Sequence, residues 1–344
     1  MGATRETRRL DIAVGIPAYN RSSNLTELLE SISKQTVAPA EVTICEDHSP
    51  ERESIREIVR QWRGGFEAAG GRVNYIENEV NLGYDGNIRK LVSSSHAKWL
   101  MLMGNDDLLL GNCMEDLEAY LNRSRWTPMI SRSFVRFDTN IRRPLGISRI
   151  SDEDTIFRYG ETPAGMLFRA SGFVGGLILD RNWADELATA QYDGSLYYQV
   201  YLAAAAFCTE GIGYVGKPIV GGRGNAKPLF GSAPNERDVH IPGSYTPKGR
   251  AKMWRAVLCI AEDASSRYAV DIVEEIRSEL EVRQSFHVFE MSVAQGRAAV
   301  EELRDQLSDL GLFHHPIPRI LYWINLIFGR NARFFYTLAR HAMQ

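Results

Sequence analysis

Residues 99–107 read WLMLMGNDD and carry the strongest indication of the fold. Five apolar residues come first, and a glycine, an asparagine and two aspartates follow at once. A short apolar run that is closed by turn-forming residues is typical of a buried strand. We therefore predict a buried strand whose carboxyl end carries two adjacent carboxylates.

Three similar strands precede this one in the sequence. They are predicted at residues 11–16, 41–45 and 73–76, and segments with helical spacing of apolar residues separate them. Strands that alternate with helices indicate right-handed crossovers and a mostly parallel sheet. The predicted fold class is therefore α/β.

Polar segments follow all four predicted strands. They are residues 17–20 (PAYN), 46–49 (EDHS), 78–85 and 104–107 (GNDD). Because ligands of open α/β sheets bind beyond the carboxyl ends of the strands, we expect these segments to meet at one edge, rich in carboxylates and amides.

The alternation weakens beyond Pro128. Residues 129–137 and 172–179 are predicted strands, and residues 196–207 a predicted apolar helix. Residues 217–247 are dense in Gly, Pro and Asn and are predicted to form a long mobile loop. Helical spacing returns from residue 248 onward.

Composition excludes several classes of protein. The 344 residues include 44% hydrophobic and 24% charged residues, which is ordinary for a globular protein, and the net charge of −3 gives no general attraction to nucleic acid. The four cysteines lie far apart, so a disulfide framework or zinc site has little support. The N-terminus lacks the apolar core of a signal peptide, and no stretch reaches a membrane span, so we expect a cytoplasmic protein.

Four short motifs, taken together in this order and spacing, resemble glycosyltransferase family 2. They are residues 16–20 (IPAYN), 46–49 (EDHS), 81–83 (NLG) with Asn87, and 105–107 (NDD). The resemblance covers residues 10–121 and implies an inverting enzyme with the GT-A fold. The GNDD form of the last motif looks similar to bacterial transferases of O-antigen and other surface polysaccharides, including abequosyltransferase-like members.

The resemblance implies a site for a nucleotide-diphosphate sugar. Asp47 is expected to accept hydrogen bonds from the base, with Glu46 adjacent; the alternative is that both are solvated loop carboxylates. The full set of predicted nucleotide- and donor-binding residues is Pro17, Tyr19, Asn20, Glu46, Asp47, Asn81, Gly83, Asn87, Asn105, Asp107 and Arg223.

Asp106 and Asp107 are the predicted metal ligands. Their hard oxygen atoms suit Mn²⁺ or Mg²⁺, which would offset charge on the departing diphosphate. The alternative is that these carboxylates cap the helix that begins near Asn112. The sequence departs from the family pattern Asp-x-Asp-Asp, because Gly104 stands at the first acidic position. Asp106 alone would then hold the metal, and Asp107 would position the sugar, which could lack a hydroxyl group as a dideoxyhexose does.

An inverting transfer also needs a carboxylate that deprotonates the acceptor hydroxyl. Asp180, Asp185, Glu186 and Asp193 are the candidates. We predict Asp193, because it precedes the helix at 196–207 and would face the site from the N-terminal end of that helix. A simple helix cap is the alternative.

Two further segments carry open alternatives. Arg223, Asn225 and Lys227 lie in the predicted loop, which is either a lid over the diphosphate or a plain surface loop. Residues 317–343 mix aromatic and aliphatic residues with arginines, as an interfacial helix does, although such a helix also docks on its own core or on a second subunit.

We therefore predict a GT-A catalytic domain at residues 1–247, with the nucleotide-sugar part at 10–121 and the acceptor part and lid at 122–247. A helical region follows at 248–344 and associates with a membrane or a second copy. The predicted activity is sugar transfer to a saccharide acceptor, and we expect this acceptor to be lipid-linked. A non-catalytic nucleotide-sugar-binding or scaffold protein of the same fold is one alternative; a sugar nucleotidyltransferase is another, although residues 17–20 lack its glycine-rich basic loop.

Overall fold

The computed structural model describes residues 8–224, 227–237, 240–332 and 335–336. Its first part consists of strands and helices in alternation, as predicted. The elements are β1 (Arg9–Ala18), α1 (Ser22–Ser33), β2 (Ala38–Glu46), α2 (Arg52–Ala68), β3 (Arg72–Glu77), α3 (Gly83–Ser94), β4 (Trp99–Leu102), β5 (Leu108–Leu109) and α4 (Cys113–Arg123).

The second part completes the sheet. Its elements are β6 (Met129–Phe137), β7 (Gly146–Ser148), β8 (Thr155–Phe157), α5 (Gly165–Ser171), β9 (Leu177–Asp180), α6 (Arg181–Glu186), α7 (Tyr198–Cys208) and β10 (Ile212–Arg223). The strand order is β3-β2-β1-β4-β9-β6-β10-β5. β1, β2, β3 and β4 pair in parallel, β9 is antiparallel to β4 and β6, and β10 is parallel to β6. The carboxyl ends of β1, β2, β4, β6 and β10 therefore lie at the same edge.

The predicted mobile loop is wrong over residues 217–223, which belong to β10. A Cβ atom at Gly221 would lie 2.5 Å from Ile141, and one at Gly222 would lie 2.7 Å from the ring of Phe173. These glycines therefore permit close packing of an inner strand and do not mark a flexible segment. The irregular segment begins only after Arg223.

Helices make up the C-terminal region, as predicted. They are α8 (Pro247–Tyr268), α9 (Val273–Ser278), a π-helical segment (Glu279–Gln284), α10 (Ser285–Gln295), α11 (Arg297–Asp309), α12 (Pro316–Phe328) and a 3₁₀ turn (Gly329–Ala332). Thr246 caps α8 by accepting the N–H of Gly249 at 3.0 Å. In the part of the chain that the structure describes, no helix is both long and apolar enough to cross a bilayer.

The C-terminal helices share an apolar core with one face of the sheet. Leu100 of β4, Leu202 of α7, Trp254 of α8, Phe289 of α10 and Leu303 of α11 are all buried in this core. The other face of the sheet packs against α1, α2 and α4 in a second core. The helical region is therefore built into the same structure that positions the strand ends.

Candidate active site

A cavity of about 880 Å³ opens at the carboxyl ends of β1, β2 and β4. Asp47 and Asp106 both line it, although they follow different strands. Ten of the predicted site residues lie on its wall: Pro17, Tyr19, Asp47, Asn81, Gly83, Asn87, Asn105, Asp106, Asp107 and Arg223. Asn20, Glu46 and Asp193 do not.

Asp47 lines the cavity in a fixed orientation. Its Oδ1 atom accepts hydrogen bonds from Asn78 Nδ2 and from the N–H of Leu82, both at 2.8 Å. Asn78 also donates to Asn87, whose side chain donates in turn to the carbonyl of Cys45 at 3.0 Å. Burial raises the pKa of the Asp47 carboxyl to about 6. Above that pH the group is a rigid acceptor suited to the amine or imide N–H of a base.

Gly83 begins α3 beside Asp47, and the structure requires a glycine there. Its φ is +76°, and a Cβ atom would lie 2.7 Å from the carboxylate of Glu236. Glu236 accepts the N–H of Tyr84 at 2.8 Å and that of Gly231 at 2.8 Å. The segment after β10 is thus tied to the first turn of α3, and Glu236 was missed by the sequence analysis because it lies outside every motif.

Glu46 and Asn20 support the site from outside the cavity. Successive side chains of a strand point to opposite faces, so Glu46 turns away from Asp47. It is fully buried and accepts the N–H of Ser49 at 2.7 Å and the guanidinium of Arg52 at 2.6 Å. Asn20 accepts the side-chain amide of Asn105 on its carbonyl at 2.8 Å. The prediction that Glu46 and Asn20 line the nucleotide pocket is not supported by their positions.

Asp107 is the more deeply buried of the two aspartates. Its Oδ1 atom accepts the N–H of Arg223 at 3.1 Å, and burial together with the neighbouring Asp106 raises its pKa above the ordinary range. A Cβ atom at Gly104 would lie 2.7 Å from Asp107 Oδ2, and one at Gly175 would overlap the same oxygen. A side chain at residue 104 would therefore crowd the carboxylate of Asp107 unless Asp107 or the loop moved.

Asp106 forms an ion pair with Arg21. The distance from Arg21 Nη1 to Asp106 Oδ2 is 2.6 Å, and Arg21 also donates to the carbonyl of Lys227. Arg21, Lys227 and Arg223 all line the cavity, so cations surround the acidic pair. Arg21 was not among the predicted site residues, although it directly follows the IPAYN motif and is the first cation after β1.

Arg223 is not part of a lid. It ends β10, and its Nε donates to the carbonyl of Asp106 at 3.0 Å, while its other nitrogens donate to the carbonyl of Asp138 at 3.0 Å and to Glu27 at 2.7 Å. Its guanidinium therefore fixes the loop that carries the aspartates. Asn225, also assigned to the lid, lies outside the described residues.

Asp106 and Asp107 could supply only some of the ligands that a divalent cation needs. Two carboxylates supply hard oxygen atoms of the kind that Mn²⁺ and Mg²⁺ prefer, and the remaining positions would fall to diphosphate oxygens and water. Within the described ranges, no group of three or more His, Cys, Asp or Glu side chains could hold a metal. The alternative of helix capping lacks support, because Asp106 and Asp107 bond to Arg21 and Arg223 instead.

Asp193 does not occupy the position expected of a base. It forms an ion pair with Arg89, with Arg89 Nη2 at 3.0 Å from Asp193 Oδ2, and it lies outside the cavity lining. The N-terminus of α7 is instead held by Asp85, which accepts the N–H groups of Leu196 and Tyr198 at 2.9 Å. The other candidates also lie outside the cavity: Asp180 caps α6, and Asp185 and Glu186 belong to α6.

The fold and the cavity together define a class of protein. A mostly parallel sheet with carboxylates at the ends of β2 and β4, a polar pocket at one end and cations around an acidic pair are the features of a GT-A glycosyltransferase. The motifs that carry the family resemblance meet in this cavity, although they are separated by up to 90 residues.

Comparisons with known proteins agree with this class. Residues 13–173 match the model of Glycosyl transferase family 2. The abequosyltransferase RfbV of Salmonella typhimurium is 28% identical over 225 residues, which cover 62% of this chain and 67% of RfbV. An uncharacterized glycosyltransferase of Haemophilus influenzae is 30% identical over 99 residues, which cover 29% of this chain and 30% of that protein.

Two solved structures share the fold at low sequence identity. The structure of S. aureus TarS 1-349 in complex with UDP-GlcNAc has a TM-score of 0.62 at 13% identity, with coverage of 97% of this chain and 92% of that chain. The mannosyltransferase PcManGT from Pyrobaculum calidifontis, in complex with GDP-Man and Mn²⁺, has a TM-score of 0.52 at 12% identity, with coverage of 96% and 84%. We conclude that the chain is a glycosyltransferase and that its residues 13–173 are similar to family 2.

Proposed function

We propose that this enzyme transfers a sugar from a nucleotide-diphosphate donor to a saccharide acceptor, with inversion, during synthesis of a surface polysaccharide or O-antigen. The observation that carries the proposal is that Asp47 and Asp106 line one cavity. RfbV, a relative over most of the chain, is an abequosyltransferase, and both structural neighbours bind sugar nucleotides. The sugars named for these proteins are consistent with a hexosyl or deoxyhexosyl donor.

We propose that residues 10–121 hold the donor with its base against Asp47. Asn81 and Asn87 would border the base and ribose, and the diphosphate would extend toward Asp106. The cationic side chains of Arg21 and Lys227 lie on that part of the wall and can donate charge-assisted hydrogen bonds to phosphate oxygens. Residues 122–247 and the C-terminal helices would then form the acceptor side.

Asp106 is the proposed metal ligand, with Asp107 as its partner or as a contact to the sugar. A bound Mn²⁺ or Mg²⁺ would supply a Lewis acid that stabilises charge on the leaving diphosphate. Arg21 already pairs with Asp106, so this arginine must share the carboxylate or move to the diphosphate when a metal binds. Arg223 would hold the loop in place throughout.

We further propose that α12 rests on the inner face of the cell membrane, close to a lipid-linked acceptor. One face of α12 packs on the protein, whereas Ile320, Trp323 and Ile327 on the other face are 55%, 60% and 69% exposed. Arg319 and Arg330 are exposed beside them, and no acidic residue occurs in residues 311–344. Apolar side chains flanked by arginines suit anionic headgroups. Arg333 and Arg340 lie outside the described residues.

Turnover of sugar nucleotides tests the proposed activity directly. Purified protein is incubated with UDP-, GDP-, CDP- and dTDP-sugars and Mn²⁺, and release of nucleoside diphosphate is measured. We expect slow hydrolysis of at least one donor, and Asp106→Asn should lower this rate about 100-fold or more, because charge stabilisation at the leaving group is lost. A wild-type protein that binds a donor without hydrolysing it would favour the non-catalytic alternative, and one that neither binds nor hydrolyses any donor would contradict the proposed function.

A further inference from the structure

Helix α10 of the C-terminal region forms part of the cavity wall. His287, Glu290, Met291, Ala294 and Gln295 line the cavity. Their spacing of three, four, seven and eight residues places them on one face of the helix. The cavity wall is therefore completed by residues that lie 180 or more positions downstream of the NDD motif.

A π-helical segment directly before α10 determines which residues of α10 face the cavity. Residues 279–284 are π-helical and run without a break into α10. Each extra residue in a π-turn rotates the following helix by about 100° relative to a regular α-helix. Glu279 in this segment is buried and pairs with Arg169 of α5, with 2.6 Å between Oε2 and Nη2. The rotation of α10 is thus fixed by a contact outside the cavity.

Arg250 of α8 anchors the same helix to the catalytic domain. Its Nη2 lies 3.8 Å from the sulfur of Met291, its Nη1 lies 3.4 Å from the hydroxyl of Tyr197, and its guanidinium stacks on the ring of Tyr245. Gln295 donates to the carbonyl of Tyr245 at 2.8 Å. The cavity face of α10 is therefore held against α7 and the segment after β10.

Five carboxylates line the cavity within the described residues: Asp47, Asp106, Asp107, Glu236 and Glu290. Asp47 is the proposed contact of the base, and Asp106 and Asp107 are the proposed contacts of the metal and the diphosphate sugar. Both carboxylate oxygens of Glu236 accept backbone N–H groups, one from α3 and one from the segment after β10. Glu290 differs from these four because it belongs to α10 of the C-terminal region, and it is half-buried.

We propose that Glu290 is the general base of the transfer, an assignment that rests on the proposed function. The acceptor hydroxyl oxygen forms a bond to the anomeric carbon, and the bond from that carbon to the diphosphate oxygen breaks. Its electron pair leaves with the nucleoside diphosphate. The proton of the acceptor hydroxyl passes to the Glu290 carboxylate. Glu290 lies on the part of the cavity wall that α10 forms, whereas Asp193 lies outside the cavity.

Donor hydrolysis tests this assignment without a known acceptor, because water then takes the place of the hydroxyl. The substrate is the sugar nucleotide that the wild-type protein hydrolyses fastest. We expect Glu290→Gln to lower turnover about 100-fold or more while the Kd for that donor, measured by calorimetry, stays within about twofold. Glu302→Gln is the matched control, since Glu302 is an exposed carboxylate of the neighbouring helix α11, and it should leave turnover unchanged.

Two more variants separate a base from a structural residue. Glu290→Ala should lose turnover, and added formate should restore part of it, which a packing role would not allow. His287→Gln should lower turnover only a few-fold. The proposal is overturned if Glu290→Gln keeps wild-type turnover, if its donor affinity falls as much as its turnover, or if only His287→Gln is inactive. A wild-type protein without any turnover would instead contradict the proposed function.

Discussion

At the scale of single residues, the pairing of Arg21 with Asp106 gives the site its electrostatic character. We expect Arg21→Gln to weaken binding of a nucleoside diphosphate about 10-fold or more, because hydrogen bonds to charged groups contribute about 1.5–3 kcal/mol. Calorimetry without metal measures the change. Arg89→Gln is a matched control, since Arg89 also pairs with an aspartate and both arginine side chains are 23% exposed. Equal losses in both variants would contradict a diphosphate site at Arg21.

Asp47 should make donor binding depend on pH. Burial raises its pKa from 3.8 to about 6, so the carboxylate is the acceptor only above that pH. We expect affinity for a UDP-sugar, whose diphosphate does not titrate in this range, to fall as the pH drops from 7 to 5. Asp47→Asn should bind weakly and without this dependence. An unchanged pH profile in the variant would show that another group is responsible.

The same shift has a consequence for stability with the opposite sign. Between pH 3.8 and about 6 the unfolded chain has released the Asp47 proton and the folded chain has not. The contribution of Asp47 to the free energy of unfolding therefore decreases as the pH rises through this window. Above about pH 6, the ionised Asp47 side chain therefore favours donor binding but lowers the free energy of unfolding.

The substitution Gly104→Ala tests whether the Asp107 carboxylate leaves room for a side chain at residue 104. We expect Gly104→Ala to lower the free energy of unfolding by about 1–3 kcal/mol, because the new Cβ would lie 2.7 Å from the Asp107 carboxylate. Gly111→Ala is the matched control, since nothing lies within 4 Å of its Cβ position. Urea denaturation compares the two. A Gly104→Ala variant as stable as Gly111→Ala would mean that the loop adjusts freely.

At the scale of elements, α12 carries the membrane proposal. We expect the wild-type protein to sediment with vesicles that contain anionic phosphatidylglycerol and less with neutral phosphatidylcholine vesicles, since apolar and cationic groups act together. Trp323→Ser with Ile327→Ser should abolish sedimentation. Leu145→Ser with Ile147→Ser removes two other exposed apolar side chains, and this variant should still sediment with the vesicles. Concentration-dependent dimerisation that only the α12 variant loses would indicate a second copy as the occupant.

Element by element, the sequence predicted what local patterns encode. The four β/α units and the residues after their strands were recognisable because apolar periodicity and polar strand ends are short-range signals. The boundary of β10 was wrong because glycines that permit close packing look the same as glycines that permit turns. Asp193 was chosen by its position before α7, but that helix is held by Asp85 of α3, a long-range contact that no spacing reveals.

At the scale of the whole molecule, the C-terminal helices and the sheet share one core. We expect Leu303→Ala on α11 to lower the free energy of unfolding of the entire chain by about 2–5 kcal/mol, because Leu303 is fully buried in that core. Leu145→Ala is the control, with the same substitution at a residue that is 59% exposed. Fluorescence and circular dichroism should follow one transition. A separate early transition of the helices would contradict a shared core.

Packing in this shared core also explains why part of the site could not be predicted from the sequence. The donor wall comes from motifs within residues 17–107, whereas Glu236 and the α10 face join it only through tertiary packing. Helical spacing in residues 285–295 is equally compatible with several orientations, and the π-helical segment that selects one of them has no simple sequence pattern.

The cavity is proposed to hold one ligand between Asp47 and Asp106. A crystal structure of the protein with the best-bound nucleoside diphosphate and Mn²⁺ would test this proposal. We expect the base to lie within hydrogen-bonding distance of the Asp47 carboxylate and the diphosphate to lie beside Arg21 and Asp106. A nucleotide bound elsewhere, or one that leaves Asp47 and Asp106 without contact, would contradict it.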